Sequence, residues 1–548
     1  MLKRFNTWVR ACTAEDIAVA VFGATFFVGV WYAFPMPDVF LDAWAYGGGV
    51  LRALEAHSIF PGPDVLYGTL TFYVNYVFTV VVLAIGLLFN GFHISTLKEA
   101  FIFHPEYSLL IPRITSALVT VALMLFVYRF LKEHVSSVVH RLALLMLVFG
   151  NVLTAVMTRS GKMWVLSTAL GVVSFVYLYQ SMTQEVKNGR PGKYALISVL
   201  AAFLALANFT FAFIYLINIP LILYIFPKTK ASLLRLFYIV ATGTAVCLAV
   251  FATNAKNIIA QFMDVFSVHE SAGGEIPYLI RMTIPESIWM HFVQVVEALP
   301  LLIVLLLILA FAVRSKLQDK KLAYLSLIYL AAYFVLVSVV SRWSAEPGLH
   351  IRYVWPVIFP LFFLVVAFRP PARWVSAAFL GVGMLVYAYS VFLLSTPSTY
   401  NSAYDHVVST YGSQSIRIES QVRQLALPMN KRSYSLLAPG ACGSACQYRL
   451  AGQSDIAFAP TVVTMFAATS SVAELPPADI IVTERDIQGC MFLARFGNAV
   501  KDEEFFDVEH NLGRVLLPTF YGLRQLGRNI YIYDGKSCPQ ADVSTARR

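Results

Sequence analysis

The chain has 548 residues, of which 58% are hydrophobic and only 13% charged, and its mean hydropathy is +0.68. A soluble protein of this length would need several cores, each clothed in charge, and this supply is too small. The composition is that of a polytopic membrane protein. The net charge of +10 does not point to nucleic acid, because the basic residues come in small clusters between apolar runs rather than on one face.

Taken in chain order, Lys3, Arg4 and Arg10 precede an apolar run from Ile17 to Phe34, which lacks a small-residue cleavage site and reads as a retained first helix. Runs of about 20 residues, the length that crosses a bilayer, begin near Ile17, Thr69, Ser108, Arg141, Met163, Tyr194, Phe209, Arg235, Ser287, Leu322, Tyr353 and Trp374. If all twelve crossed from a cytoplasmic N-terminus, the clusters Arg129/Lys132/Arg141, Lys187/Arg190/Lys193, Lys228/Lys230/Arg235 and Arg314/Lys316/Lys320/Lys321 would face outside, against the positive-inside rule. Letting Thr69 to Phe92 lie in the membrane without crossing, as a re-entrant or juxtamembrane helix, moves every cluster inside. Eighteen Lys and Arg then sit in inside loops and eight in outside loops. The expected fold is therefore an all-α membrane domain, residues 1–395, of eleven transmembrane helices plus one non-crossing helix.

Residues 396–548 read as a small extracytoplasmic α/β domain. Short β-like runs at Ser433 to Leu437, Ile480 to Thr483, Val515 to Leu517 and Asn529 to Tyr533 alternate with Gly/Pro turns, and Ile416 to Leu427 reads as an amphipathic stretch. Cys442, Cys446, Cys490 and Cys538 all fall here and suggest disulfides in an oxidising compartment. No histidine pair accompanies Cys442 and Cys446 to make a zinc site, and all three pairings of the four cysteines remain open.

The residues that can carry chemistry lie toward the outside. The first outer loop, 35–107, places Asp38 and Asp42 just after the first helix, where a carboxylate can activate a nucleophile or hold a metal, or can cap the helix that follows. An Asp-x-x-x-Asp spacing without a nearby histidine gives a divalent metal no support. Arg113 lies inside the apolar run that starts at Ser108, where a guanidinium snorkels or pairs with a carboxylate such as Glu106, Asp38 or Asp42, or with a lipid phosphate. Arg159 and Lys162 share the next outer hairpin, and His350 and Arg352 precede the tenth crossing. These cations fit a phosphate headgroup or interfacial anchoring.

The order of parts resembles a family. A basic N-terminus and first helix lead to Asp42-x-x-x-Tyr46, then Tyr67-Gly68-Thr-Leu, then Pro112-Arg113-Ile-Thr-Ser-Ala-Leu, the hairpin at Arg159 to Lys162, and Arg352-Tyr353-Val-Trp-Pro356. Over roughly Ile17 to Arg373 the chain looks like the integral-membrane GT-C glycosyltransferases of the protein O-mannosyltransferase and lipid A aminoarabinose transferase branch. The resemblance implies a bacterial cytoplasmic-membrane enzyme that uses a polyprenyl-phosphate sugar donor on the outer side, with a glycan, lipid or protein acceptor. It also implies that the segment after the first loop is membrane-associated and that Arg113 opens the next crossing. Where the family has Glu after its first-loop aspartate this chain has Ala43, and where it often has an acidic residue in the second hairpin this chain has Lys162.

The chemistry so implied is a single displacement that inverts the anomeric carbon. A carboxylate, Asp42 with Asp38 as the alternative, accepts the acceptor proton. Arg113, Arg159, Lys162 and Arg352 stabilise the departing phosphate, with Tyr46, Tyr67, Glu106 and His350 in support. No cofactor is required by this scheme. Two competing classes are a lipid or sugar transporter, which would place charges deep in several spans, and an O-antigen polymerase or ligase, whose main loop falls late in the chain.

Overall fold

The computed structural model describes residues 13–34, 43–62, 65, 68–93, 106–259, 283–312, 317–341, 355–411, 416–420, 422, 462–465, 478–484, 486–497, 525, 527 and 529–538. The chain divides into one unit of Met1–Val28, Gly49–Phe78 and Pro112–Val391, and a second of Gly29–Gly48, Thr79–Ile111 and Phe392–Arg548. The last boundary falls at Phe392. The inclusion of 29–48 and 79–111 with the C-terminal segment was not anticipated.

The helices in chain order are α1 (Ala14–Ala24), α2 (Ala43–Glu55), α3 (Thr69–Phe89), α4 (Glu106–His134), α5 (Val138–Phe149), α6 (Val152–Arg159), α7 (Trp164–Gln180), α8 (Lys193–Asn208), α9 (Asn218–Ile225), α10 (Lys230–Ala252), α11 (Ile284–Ala298), α12 (Pro300–Leu307), α13 (Lys320–Ser341), α14 (Ile358–Val366), α15 (Arg373–Ser395) and α16 (Thr399–Tyr411). Among the described residues five helical stretches are long and apolar enough to cross a membrane: Thr69–Phe89, Tyr107–His134, Trp164–Asn188, Lys230–Ala252 and Arg373–Tyr411. Counting each bent pair, α5 with α6 at 60° and α11 with α12 at 93°, as one span makes seven. This is a membrane protein, built with more broken helices than apolar run length alone suggests.

Each break has an identifiable cause. The run from Ile17 to Phe34 does not form one membrane-length helix: α1 gives way to a 3₁₀ turn at Thr25–Phe27, and Gly29 takes φ +83°, where a Cβ would meet the Leu394 carbonyl at 2.9 Å. Between α5 and α6 the Asn151 side chain accepts from Thr154 N at 2.8 Å and donates to Val148 O at 2.6 Å, starting a new helix. Leu299 precedes Pro300, which opens α12 as an N1 proline. Ahead of α9, residues Thr210–Ile217 are 3₁₀, and Pro220 at the third position of α9 offers no N–H to Leu216 O. By contrast α3 is unbroken over 21 residues, so it does not fold back as a re-entrant hairpin. Its buried stripe is polar at Thr71, Asn75 and Thr79, while Val77, Val81, Ile85 and Leu88 are exposed.

Within the first unit the helix ends gather at two poles. At the first, Lys132 Nζ and Tyr128 Oη donate to Asp16 Oδ1 at 2.6 and 2.8 Å, and Arg141 makes a two-point contact with Glu15 at 2.7 and 2.5 Å. Phe130 and His134 pack edge-on against Tyr179, whose hydroxyl donates to Asp319. Ser232 Oγ donates to Gly189 O at 3.0 Å, Lys321 Nζ to Met182 O at 3.2 Å, and the Gln318 and Asp319 amides to Ala367 O. The segments that meet here carry the basic clusters around residues 129–141, 187–193, 228–235, 320–321 and 369–373; Arg314 and Lys316 lie outside the described residues. At the second pole are the C-terminal turn of α1, the start of α4 near Arg113, the 159–162 hairpin, Asn208 and Asn254, as detailed below.

Among the described residues of the second unit five strands, β1 (Arg417–Ser420), β2 (Val462–Met465), β3 (Ile480–Thr483), β4 (Met491–Phe496) and β5 (Ile530–Asp534), form one sheet in the order β2-β1-β3-β5-β4. β1 runs parallel to β2 and β3, and β5 is antiparallel to β3 and β4. Tyr531, Tyr533 and Ile481 form a small core with Cys490 and Cys538 against it. The strands expected at 480–483 and 529–533 are present. Within the expected amphipathic stretch from Ile416, Arg417–Ser420 form strand β1, and Ile418, Ser420 and Val422 are buried at every second position; residues 423–427 lie outside the described residues. The runs 433–437 and 515–517 lie outside the described residues.

Candidate functional site

Three of the cations singled out from sequence sit at the second pole of the first unit. Arg113, Arg159 and Lys162 are all buried, at 0%, 0% and 1% exposure. Gly161 brings the hairpin onto α4: it has φ +74°, and a Cβ there would lie 3.2 Å from both the Arg113 amide nitrogen and Pro112 Cβ. Only a residue without a side chain allows this approach without strain. Burying three basic side chains in so small a region carries a desolvation cost that their contacts must offset.

Arg159 has evident structural partners. Its Nε donates to Val28 O at 2.5 Å, Nη2 to Thr25 O at 2.9 Å and Nη1 to Ala155 O at 2.7 Å. Thr25 and Val28 lie where α1 ends, so this guanidinium satisfies carbonyls that a helix terminus leaves over. Sequence gave no hint of this role, because the acceptors are backbone atoms 131 and 134 residues away.

Tyr46, in the second unit, is buried at 1% exposure. The adjacent Gly47 lies so close to α4 that a Cβ would meet the Ser108 carbonyl oxygen at 1.9 Å. Asp38, Asp42, Tyr67, His350, Arg352, Cys442 and Cys446 lie outside the described residues, as does the side chain of Glu106. Of the four candidate cysteines, Cys490 and Cys538 form a disulfide. Among the described residues no three His, Cys, Asp or Glu side chains converge as metal ligands.

Sequence reasoning passed over three asparagines that fix the segment between α2 and α3 at the second pole. Buried Asn208 accepts from Thr71 N at 2.8 Å and Thr71 Oγ1 at 3.0 Å, and donates to Met163 O and Ser167 Oγ, so it caps α3 from another helix. Asn254 Nδ2 donates to Val65 O at 2.8 Å and Thr69 Oγ1 at 3.2 Å, and Asn257 Nδ2 to Gly62 O at 2.9 Å. The available signal was polar residues at the ends of otherwise apolar runs.

Comparison of the chain with protein-family models, with curated proteins and with solved structures gives no match.

Proposed function

We propose that the chain is an integral-membrane inverting glycosyltransferase of the GT-C kind, moving a sugar from a polyprenyl phosphate to an acceptor at the outer face of the cytoplasmic membrane. The observation that carries this reading is the burial of Arg113 and Lys162 against the Gly161 turn, at the pole opposite the basic clusters. A lipid phosphate is a ligand that two buried cations at a membrane interface suit. Asp42 is assigned as the base that takes the acceptor proton, with Asp38 as the alternative, and Arg113 and Lys162 as the groups that offset charge on the departing phosphate. Arg352 joins them on the resemblance alone. Arg159 is assigned to holding the end of α1, since its nitrogens already face carbonyls.

The topology proposed with it has eleven crossings. If the pole with the basic clusters is cytoplasmic, α1 leaves it and α4 returns to it, because Asp16 and Lys132 meet there. From Arg113 to Lys132 α4 rises about 28 Å at 1.5 Å per residue, close to the thickness of a hydrocarbon core. The chain between α1 and α4 thus begins and ends at the outer pole, and on this proposal the segment containing α3, which starts there beside Asn208, is assigned no net crossing. The disulfide in the C-terminal domain agrees with an outside location.

The broken pairs α5–α6 and α11–α12 favour one competing reading, a transporter, since discontinuous helices line substrate sites in such proteins. The test is binding of a C55 polyprenyl phosphate to detergent-purified protein, followed by native mass spectrometry. The transferase reading expects a bound lipid that Arg113→Leu and Lys162→Leu each weaken, while a neutral polyprenol binds poorly to all forms. Equal binding of phosphate and alcohol, unaffected by either substitution, would overturn the assignment of these cations.

A further inference from the structure

The turn after α2 is a rigid structure that displays apolar side chains outward. His57 occupies the left-handed position with φ +51°, Ser58 N bonds to Ala53 O at 2.8 Å and His57 N to Leu54 O at 3.1 Å, the two bonds of a Schellman cap. Phe60 N then bonds to Ser58 Oγ at 3.0 Å, and Asn257 ties down Pro61 and Gly62 by their carbonyls. This network fixes a tip that projects Ile59 and Phe60, exposed at 60% and 53%. Exposure of two adjacent large apolar residues on a tightly hydrogen-bonded turn calls for a partner.

What covers them follows from their neighbours. Asn257 lies one turn beyond α10, a candidate span of which only 22% is buried and whose Leu248 is 62% exposed, so this helix is clothed by lipid. Ile259, on the short helical extension beside it, is 61% exposed. The second lipid-exposed helix, α3, begins at Thr69, which Asn254 ties to the same end of α10. The tip is therefore held at the level where two lipid-facing helices terminate, and its apolar side chains continue their surface.

We infer that the 57–62 turn is an interfacial anchor whose Ile59 and Phe60 side chains insert into the headgroup and upper acyl region of the bilayer. The inference does not depend on the transferase reading. It gives the outer segment between α2 and α3 a fixed depth, set by lipid on one side and by Asn254 and Asn257 on the other.

The experiment places nitroxide spin labels singly at Ile59→Cys, Phe60→Cys and, as an aqueous control, Glu55→Cys. The background has Cys12, Cys247, Cys442 and Cys446 replaced by serine and the Cys490–Cys538 disulfide intact. The full chain is reconstituted in phosphatidylethanolamine/phosphatidylglycerol vesicles. Collision of the label with oxygen, which concentrates in lipid, is compared with collision with a water-soluble nickel chelate. The inference expects oxygen to dominate at 59 and 60 and the nickel chelate at 55. Nickel dominance at all three positions would overturn it in favour of a solvated tip. Protection of 59 and 60 from both reagents would overturn it in favour of a protein partner or another segment of this chain.

Discussion

The contact between Glu15 and Arg141 is the most sensitive test of how the first pole is held together. The side chains are only 7% and 10% exposed, and the guanidinium spends its other donors on Val135 O and Ser136 O at 2.6 and 3.1 Å. Removing one partner of a buried pair leaves an uncompensated charge and costs about 3–5 kcal/mol, whereas removing both in favour of apolar groups is nearly neutral. Glu15→Gln keeps the shape and one acceptor, and the two carbonyls still satisfy part of Arg141, so a loss of about 2–3 kcal/mol is expected. Arg141→Met, which leaves the carboxylate buried, should cost about 3–5 kcal/mol. The double variant should recover about 2 kcal/mol or more of the summed loss. Reversible unfolding in mixed micelles by titration with sodium dodecyl sulfate measures all four forms. A Glu15→Gln protein within about 0.5 kcal/mol of wild type, or strictly additive losses, would refute the reasoning.

Other predictions follow from single features. The Lys132 ammonium beside Asp16, aided by Thr13, holds the Asp16 carboxyl well below the usual carboxylate range. A depressed carboxylate stabilises the fold above its unfolded value of about pH 4 and loses that contribution as pH falls toward the folded value. The difference between wild type and Asp16→Asn should thus be constant from neutral pH down to about pH 5 and shrink below it. It should not exceed about 1 kcal/mol, because Lys132 is 40% exposed; a difference that grows on acidification would contradict this. Gly161→Ala, forced into a left-handed conformation against the Arg113 backbone, should destabilise by about 1–2 kcal/mol and weaken binding of polyprenyl phosphate; unchanged binding would separate the turn from the site. Reducing the Cys490–Cys538 disulfide, which closes a separation of 48 residues, should destabilise the C-terminal domain by about 4 kcal/mol in the chain-entropy estimate. Hydrogen exchange in β4 and β5 with and without reductant would reveal it.

How far the molecule was legible in its sequence depends on the range of the interaction involved. Apolar run length and charge clusters are local quantities, and they anticipated the membrane class and the grouping of the basic segments at one end of the first unit. The strands 480–483 and 530–534 were legible for the same reason, as short β-branched and aromatic runs between turns. The end of α1 was not, because the Leu394 backbone that approaches the left-handed Gly29 and the Arg159 guanidinium that supplies the missing donors both come from far along the chain. The amphipathic stretch from Ile416 did not distinguish helix from strand, because Ile418 and Val422 fit a helical face and a strand face alike over four residues. Of the candidate site, topology placed Arg113 and the 159–162 hairpin on one membrane face and went no further. The Gly161 turn that brings them together carries no signal beyond a glycine in a loop.

The measurement that bears most directly on the central claim is mass spectrometry of polyprenyl lipids and envelope glycans from cells carrying wild type or Asp42→Asn at matched expression. A transferase with Asp42 as base predicts that a polyprenyl-phosphate sugar accumulates in the variant and that one glycan, lipid or protein loses that sugar, with turnover reduced by about 10²-fold to 10⁴-fold. Unchanged lipids and glycans in both Asp42→Asn and Asp38→Asn cells would contradict it. A lipid-linked sugar that shifts between leaflets without losing its sugar–phosphate bond would mark a transporter instead.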